Sequence, residues 1–150
     1  MSKYDHIKDA WVKEALEEYK DKIDENKSHR LDISSYRVDK PWGHEIIWAE
    51  TKDYIGKIIH INPGHRLSLQ YHEIKEETIY VMSGQLALWE SDDNDSYIVM
   101  GPGTAYHVTP GQIHRFGSLE GNGSNTPTVL MEVSTPHLQD VKRLADDYKR

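Results

Sequence analysis

Apolar and charged residues near the start of the chain recur with the period of an α-helix. Over residues 5–26, apolar side chains return at spacings of one, three and four, and charged side chains fill most other positions. This pattern predicts an amphipathic helix over residues 5–26, with Asp5 as a possible N-cap, that packs on the rest of the chain or on a second subunit. Its apolar face consists of Ile7, Trp11, Ala15, Leu16, Tyr19 and Ile23.

The pattern changes after Pro41. Short apolar runs rich in Ile, Val, Tyr and Trp alternate there with turn-forming Gly, Pro, Asn and Asp residues. Such runs are typical of the strands of an all-β sandwich or barrel. Gly84 lies between two of them and predicts a tight hairpin, and Trp42 and Trp48 are expected in the core. The predicted strands are 44–50, 55–62, 66–72, 77–82, 85–91, 96–100, 105–108, 113–118 and 128–134.

The tail returns to helical spacing and predicts a second helix. Thr135 is a possible N-cap, and Pro136 suits the first helical position. The chain is therefore expected to comprise an N-terminal helical extension, residues 1–35, and a β-domain with a C-terminal helix, residues 36–150. The apolar face of the second helix would consist of Leu138, Val141, Leu144, Ala145 and Tyr148.

Length, charge and cysteine content narrow the classes of protein. The 150 residues fit one main domain. Lys and Arg number 18 and Asp and Glu 25, so the net charge is 18 − 25 = −7, which argues against nucleic-acid binding. The absence of cysteine excludes disulfides and thiolate metal sites. No apolar run approaches the ~20 residues of a membrane span, and the start lacks an apolar signal region, so a cytoplasmic protein without membrane contact is expected.

One predicted strand, 66–72, carries polar side chains on a single face. Arg66, Ser68, Gln70 and His72 are spaced two apart and therefore project to the same side of an extended strand. The opposite side is apolar, so the polar face does not suit contact with bulk water. This arrangement favours a polar pocket inside a barrel.

Two further polar residues can join this pocket. A turn after strand 66–72 would bring Glu77 beside Gln70 and His72, and a turn at Gly111 leads His114 into another strand. Two imidazoles, one carboxylate and one amide oxygen suit a divalent cation such as Zn²⁺, Mn²⁺, Fe²⁺, Co²⁺ or Ni²⁺. The alternative is a buried polar network without metal, which is costly when four such groups share no partner. A surface position is expected for His60, His65 and His107.

The spacing of these residues resembles the two motifs of the cupin superfamily. Gly64-x5-Gln70-x-His72-x4-Glu77-x6-Gly84 is similar to the first motif, and Gly103-x5-Thr109-x-Gly111-x2-His114 to the second. Gln70 stands where the usual pattern has His, and Thr109 where it has Pro. The resemblance implies Gln70, His72, Glu77 and His114 as metal ligands, in a cupin-type antiparallel β-barrel (jelly roll) with an added N-terminal helix and a C-terminal helix.

The Gln at position 70 is similar to one cupin branch, the isomerase domain of type II mannose-6-phosphate isomerases, which is often fused to a mannose-1-phosphate guanylyltransferase. The resemblance covers residues 37–149. It implies a metal-dependent isomerase, with Zn²⁺ as the leading metal, acting on a sugar phosphate in polysaccharide or nucleotide-sugar synthesis, and a homodimer. Further matching segments are Lys40-Pro41-Trp42-Gly43, Lys57-x-Ile59, Pro63-Gly64-x-Arg66-Leu67-Ser68-Leu69-Gln70, Val81-x-Ser83-Gly84, Ile113-His114-Arg115, Glu132-Val133 and Asp140-Val141-x-Arg143-x-x-Asp146-Asp147-Tyr148.

Roles follow for several residues near these ligands. Lys57 shares strand parity with apolar neighbours and is a candidate base, or else a strand-end lysine whose amine reaches solvent. Arg66 is the candidate for the substrate anion, and Ser68 and Arg115 are further substrate-binding candidates. Two alternatives to the isomerase stay open: a non-catalytic sugar-binding or regulatory cupin module, and a cupin oxygenase, which needs open positions on iron.

Overall fold

The described residues of the N-terminal unit include one helix. The computed structural model describes residues 5–6, 8–19, 35–119 and 125–150, and the chain divides into residues 1–32 and 33–150. Helix α1 (Ala10–Tyr19) begins five residues later than predicted, with the Lys13 amide donating to the Asp9 carbonyl. Asp5 is not at the N-cap position, because the helix begins five residues further on; its carboxylate accepts a hydrogen bond from the Lys13 ammonium at 2.6 Å. The rest of the predicted helix, from residue 20, lies outside the described residues.

The described residues of the second unit form strands that pair only in antiparallel fashion. The prediction of a mostly β fold is therefore confirmed, and each predicted strand overlaps an observed one, although 66–72 is a strand only over Leu69–Tyr71. The strands are β1 (Tyr36–Lys40), β2 (Gly43–Glu50), β3 (Ile55–Ile61), β4 (Leu69–Tyr71), β5 (Glu77–Ser83), β6 (Leu86–Trp89), β7 (Tyr97–Met100), β8 (Ala105–Val108), β9 (Arg115–Ser118), β10 (Thr128–Ser134) and β11 (Lys142–Ala145).

The strands form one large and two small sheets. The large sheet has the order β1-β2-β3-β10-β5-β8, and the small ones are β7-β6-β9 and β11-β4. Isolated bridges between Arg66 and Gly117 and between Gln70 and His114 link the two small sheets. A closed barrel stays a prediction.

Alternation along the strands separates a buried face from an exposed one. In β3, Ile59 and Ile61 are fully buried, and in β5 Ile79 and Val81 are. They pack with residues of the small sheets, among them Phe116, in one hydrophobic cluster. The same inward face becomes charged toward one end of the large sheet, and that end holds the site described below.

The tail forms a strand and not the predicted second helix. β11 pairs with β4, with Arg143 opposite Gln70. The Asp140 carboxylate accepts three backbone N–H groups, from residues 73, 74 and 75, at 2.7–3.1 Å, and these bonds lower the pKa of Asp140 to about 2. These long-range hydrogen bonds thus determine the structure of the tail, although the spacing of its apolar residues alone favours a helix.

Strand β1 and the position of Trp48 also differ from what the sequence predicted. Strand β1 pairs with β2 through a two-residue turn at Pro41-Trp42, although its alternation of Tyr, Arg, Val and Asp gave no strong apolar signal. Trp42 is buried as expected, but Trp48 is 41% exposed, because it lies on the outer face of the large sheet. Within β2, Ile47 and Ala49 are buried and Trp48 between them faces outward, whereas Trp42 lies in the turn before the strand.

Gly84 does not form the predicted hairpin. β5 and β6 belong to different sheets, so Gly84 carries the chain from one sheet to the other. Its φ is +78°, a left-handed conformation that favours glycine. A Cβ atom there would lie 2.4 Å from the carbonyl oxygen of Pro127.

Substituting Gly84 by alanine is expected to lower the free energy of unfolding by about 2–4 kcal/mol, from the positive φ and from the steric contact with Pro127. Gly103→Ala is the matched control: Gly103 has a φ of +88°, but nothing lies within 4 Å of its Cβ position. That variant should lose only about 1–2 kcal/mol. Urea unfolding of the whole chain measures both values. Equal losses in the two variants would show that the contact with Pro127 contributes nothing.

Within the part of the chain that the structure describes, no helix has the length and apolar character needed to cross a bilayer.

Candidate metal centre and cavity

Three of the four predicted metal ligands converge. One atom each from His72, Glu77 and His114 lies within 4.8 Å of the others, and all three side chains are buried. His72 Nε2 is 3.6 Å from Glu77 Oε2, and His114 Nε2 is 3.2 Å from Glu77 Oε1. The two imidazole rings are tilted by 51° with centroids 5.0 Å apart, so both ring edges face the same carboxylate.

The outer nitrogens of both rings fix the histidine tautomers. His72 Nδ1 lies 2.6 Å from the Asp140 carbonyl oxygen, and His114 Nδ1 lies 3.0 Å from that of Gln112. A carbonyl oxygen only accepts, so each Nδ1 carries the proton and each Nε2 presents a lone pair to Glu77. Among the described residues, His72 Nε2 consequently has no hydrogen-bond donor, and the Lys75 ammonium, 2.6 Å from Oε2, is the donor that faces the Glu77 carboxylate. Acceptors facing one another in a buried site fit a divalent cation between them.

Gln70, the fourth predicted ligand, lies at the edge of this group. Its Nε2 is 3.5 Å from His114 Nε2, and its Oε1 accepts a 2.8 Å hydrogen bond from the Ser68 hydroxyl. Backbone bonds in both directions between Gln70 and His114, at 2.9 and 3.0 Å, hold the two residues side by side. Rotation of the amide by 180° would place its oxygen toward the imidazole and complete a set of two nitrogens and two oxygens.

A row of buried charges continues from Glu77. The Lys75 ammonium lies 2.6 Å from Glu77 Oε2 and 3.3 Å from Glu132 Oε2. The Lys57 ammonium lies 3.7 Å from the same Glu132 oxygen and 3.3 Å from Glu45 Oε1. Carboxylates and ammonium groups thus alternate from Glu45 to the metal donors, which compensates charges that would be costly to bury singly.

Burial and neighbouring charges move the pKa values of two members of this row. Burial and the charge of Glu77 raise the pKa of Glu132 to about 7, against the opposing effect of Lys57 and Lys75. For Lys75, burial alone favours the neutral amine, but the carboxylates of Glu132 and Glu77 outweigh it and raise the pKa. Lys75 is therefore a fixed positive charge beside the donor set.

Strand pairing produces the row. Lys57 is directly opposite Glu132 in the β3–β10 pair, and their side chains share the inward face. Glu132 lies between the two neighbouring strands, opposite Ile79 in β5, with Glu77 one inward position further along that strand. Lys75 is in the loop before β5, where the Asp140 carboxylate binds its backbone N–H.

A cavity of about 350 Å³ opens onto these groups. Glu77, Gln70 and Ser68 line it together with Lys57 and Glu132, while apolar walls come from the two facing sheets. The apolar lining consists of Val38, Trp42, Ile47, Ile59, Leu67, Phe116, Leu138 and Val141. A small polar molecule in this cavity would therefore contact the metal donors and the row of charges at one end and apolar surface elsewhere.

Two predicted substrate-binding residues lie outside this cavity. The Arg66 guanidinium donates to both carboxylate oxygens of Asp147, at 2.7 and 3.0 Å, and to Asn94. The buried Arg115 guanidinium donates to the carbonyl oxygen of Ala145 at 3.0 Å. Both arginines thus connect the tail to the small sheets, and the substrate roles predicted for them stay predictions.

Sequence reasoning missed Lys75, Glu132 and Glu45. Glu132 carried a usable signal, because its parity within β10 matches that of the inward Leu130 and Thr128. Lys75 lies in a turn, where parity gives no information. Its position depends on the tail, which was expected to be helical.

The chain has been compared with known families and proteins. The family model described as "Cupin domain" matches residues 57–133, just over half of the chain. Among the curated proteins, no significant match was found.

Several solved structures share the fold. KdgF from Halomonas sp. is 19% identical with a TM-score of 0.56, over 67% of this chain and 87% of that one. The polyketide cyclase RemF from Streptomyces resistomycificus is 20% identical with a TM-score of 0.60, over 79% and 84% of the two chains. The capsular polysaccharide assembling protein CapF from Staphylococcus aureus is 17% identical with a TM-score of 0.60, over 79% of this chain and 34% of that one. These likenesses establish the fold.

Proposed function

The chain is a member of the cupin family, and we propose that it is a metal-dependent sugar-phosphate isomerase. The reaction would interconvert an aldose phosphate and a ketose phosphate of the mannose 6-phosphate and fructose 6-phosphate type. One observation carries this proposal: the cavity joins a buried His-His-Glu donor set to a row of buried carboxylates and ammonium groups. The resemblance of residues 37–149 to the type II mannose-6-phosphate isomerase domain supports the substrate class.

The donor set supports the metal requirement of this chemistry. His72, Glu77 and His114 would hold the cation, with Gln70 as a fourth ligand, and nitrogen and oxygen donors of this kind suit Zn²⁺ best among the candidates. When bound, such a cation stabilises negative charge that develops on a substrate oxygen. Lys75 keeps the Glu77 carboxylate in place from the opposite side, at 2.6 Å.

Isomerisation also needs a group that removes the proton from C2 of the substrate. The ammonium of Lys57, the base predicted from the sequence, lies between the carboxylates of Glu45 and Glu132, and an ammonium has no lone pair to accept a proton. Glu132 Oε2 carries lone pairs that can accept a proton, lies 3.3 Å from the Lys75 ammonium and 3.7 Å from that of Lys57, and belongs to a side chain that lines the cavity. We therefore assign proton removal to Glu132 and the orientation of its carboxylate to Lys57.

Metal-loaded protein incubated with mannose 6-phosphate in heavy water tests the proposal. We expect fructose 6-phosphate to form and deuterium to enter at C1 or C2, because the abstracted proton exchanges with solvent at the base. Ketose formation is followed by a coupled assay and deuterium by NMR. Ketose without deuterium would indicate transfer shielded from solvent and would still support the isomerase.

The opposite outcome is equally informative. Protein that holds metal and binds sugar phosphates, but forms no ketose from any aldose phosphate tested, would contradict the isomerase. A non-catalytic sugar-binding or regulatory module would then be the better account. The predicted homodimer stays a prediction.

A further inference from the structure

We propose that Arg143 and Lys40 bind the phosphate group of the substrate at the cavity that Glu77 and Gln70 also line. The inference rests on the proposed function for the identity of the substrate. It rests on the structure for the position and the free donors of the two cations. The anion-binding role that the sequence predicted for Arg66 is thereby assigned to Arg143 and Lys40.

Arg143 is placed by the tail strand that the sequence did not predict. In the β11–β4 pair it lies directly opposite Gln70, and opposite side chains of an antiparallel pair project to the same face. Both side chains line the cavity. The guanidinium is therefore on the same face of the sheet as the amide that borders the metal donors.

Arg143 has no side-chain partner among the residues that the structure describes. Its guanidinium forms no ion pair or hydrogen bond with any residue that the structure describes, whereas the other described arginines are each bound by the protein: Arg37 to Asp39, Arg66 to Asp147 and Asn94, Arg115 to Ala145, and Arg150 to Asp146. A free guanidinium presents five N–H donors whose planar fork matches two phosphate oxygens.

Lys40 is a second cation without a partner in the described part of the chain. It ends strand β1, lines the same cavity and likewise has no ion pair or hydrogen bond among the described residues. The other lysines of the cavity, Lys57 and Lys75, are already paired with carboxylates. Lys40 and Arg143 can therefore bind a ligand without breaking an existing ion pair, which makes their contact with an anion less costly.

The balance of charge in the cavity fits an anion. Five cationic residues and three carboxylates line it; because Arg150 is already paired with Asp146 outside the lining, the excess of positive charge is 5 − 1 − 3 = +1, in a chain whose net charge is −7. A positive cavity in an acidic protein attracts anionic ligands selectively. The sign of this charge is complementary to that of a phosphate monoester. The cationic residues are Lys40, Lys57, Lys75, Arg143 and Arg150, and the carboxylates are Glu45, Glu77 and Glu132.

Binding of mannose 6-phosphate and of neutral mannose to the metal-loaded full chain, measured by calorimetry, tests this site. Arg143→Gln is expected to weaken mannose 6-phosphate binding about 10- to 100-fold, the effect of losing charge-assisted hydrogen bonds. Lys40→Gln should weaken it less, because a lysine is a single-point contact. Affinity for mannose should stay within about twofold in both variants, and Arg143→Lys should recover part of the loss.

The matched control is Lys142→Gln. Lys142 is the neighbouring residue on β11, is exposed, and does not line the cavity, so the same loss of charge there should leave binding unchanged. Unchanged binding in the Arg143→Gln Lys40→Gln double variant, equal losses for mannose and mannose 6-phosphate, or no binding of mannose 6-phosphate to the wild type would each overturn the proposal.

The two proposals fail separately. Binding of mannose 6-phosphate that depends on Arg143, in a protein that forms no ketose, would contradict the isomerase proposal and support the phosphate site. Ketose formation with a KM for mannose 6-phosphate that is unchanged in Arg143→Gln would support the isomerase and contradict the phosphate site.

Discussion

Substituting His72 by alanine is expected to lower the affinity of the chain for a divalent cation by at least about 100-fold. The ring contributes one of the two Nε2 lone pairs that face Glu77, and Asp140 fixes it in that orientation through a 2.6 Å hydrogen bond. Without it, Glu77 and His114 offer too few donors for tight binding. His114→Ala should have the same effect. Metal content of the purified variants, measured by inductively coupled plasma mass spectrometry, gives the result.

Two other histidines serve as controls. The ring of His107 pairs with Glu76 at the surface, at 2.9 Å, and the ring of His65 is stacked on Tyr148. His107→Ala and His65→Ala should therefore keep the wild-type metal content. Circular dichroism shows whether each variant is folded. Full metal occupancy in both His72→Ala and His114→Ala would place the metal elsewhere in the chain.

The wild type provides a test that does not depend on a folded variant. Metal binding should weaken as the pH falls, because protonation of the ring nitrogens that face Glu77 removes the lone pairs needed for the cation. Zinc binding measured against a competing chelator over a range of pH reports this. Affinity that stays constant down to acid pH would contradict histidine ligation.

Alternation of buried and exposed residues was sufficient to predict most of the strands. The bounds predicted for β8 and β10, 105–108 and 128–134, are those of the structure. β3, β5 and β10 each have one face against the hydrophobic cluster, so buried residues recur in them with a period of two. Strand order could not be obtained in this way, because β5 and β6 follow one another in the chain but lie in different sheets.

The prediction of a helix in the tail was wrong because the structure of the tail depends on distant residues. The apolar residues from Leu138 onward do have helical spacing, yet Asp140 bonds to the backbone of the loop after β4 and Arg143 pairs with Gln70. Each of these contacts spans more than 60 residues of sequence. Local periodicity carries no information about contacts of that length.

Dependence on distant residues also explains why only part of the site could be predicted from the sequence. The spacing of His72, Glu77 and His114 identified residues that the structure brings together. Glu132 and Arg143 reach the cavity through the registers of β10 with β3 and of β11 with β4. Because those partners are not consecutive strands, one sequence could not show which charges would meet.

A substitution in β10 should have the second large effect. Glu132→Gln is expected to lower kcat for aldose–ketose isomerisation by about 10²–10⁴-fold, the usual contribution of a general base, while KM changes only a few-fold. The amide keeps the shape of the side chain but does not accept a proton. Metal content should stay at the wild-type level, because Glu132 is outside the donor set. Steady-state kinetics of the metal-loaded variant give kcat and KM.

Glu45→Gln distinguishes a base from a general effect of charge. Glu45 lies 3.3 Å from the same Lys57 ammonium and lines the same cavity, so its loss also removes a negative charge beside that lysine. If Glu132 accepts the proton, Glu45→Gln should reduce kcat only a few-fold. Equal losses in both variants would mean that the carboxylates act through Lys57. Turnover that survives in Glu132→Gln but disappears in Lys57→Ala would identify Lys57 as the base, since only the lysine could then receive the C2 proton.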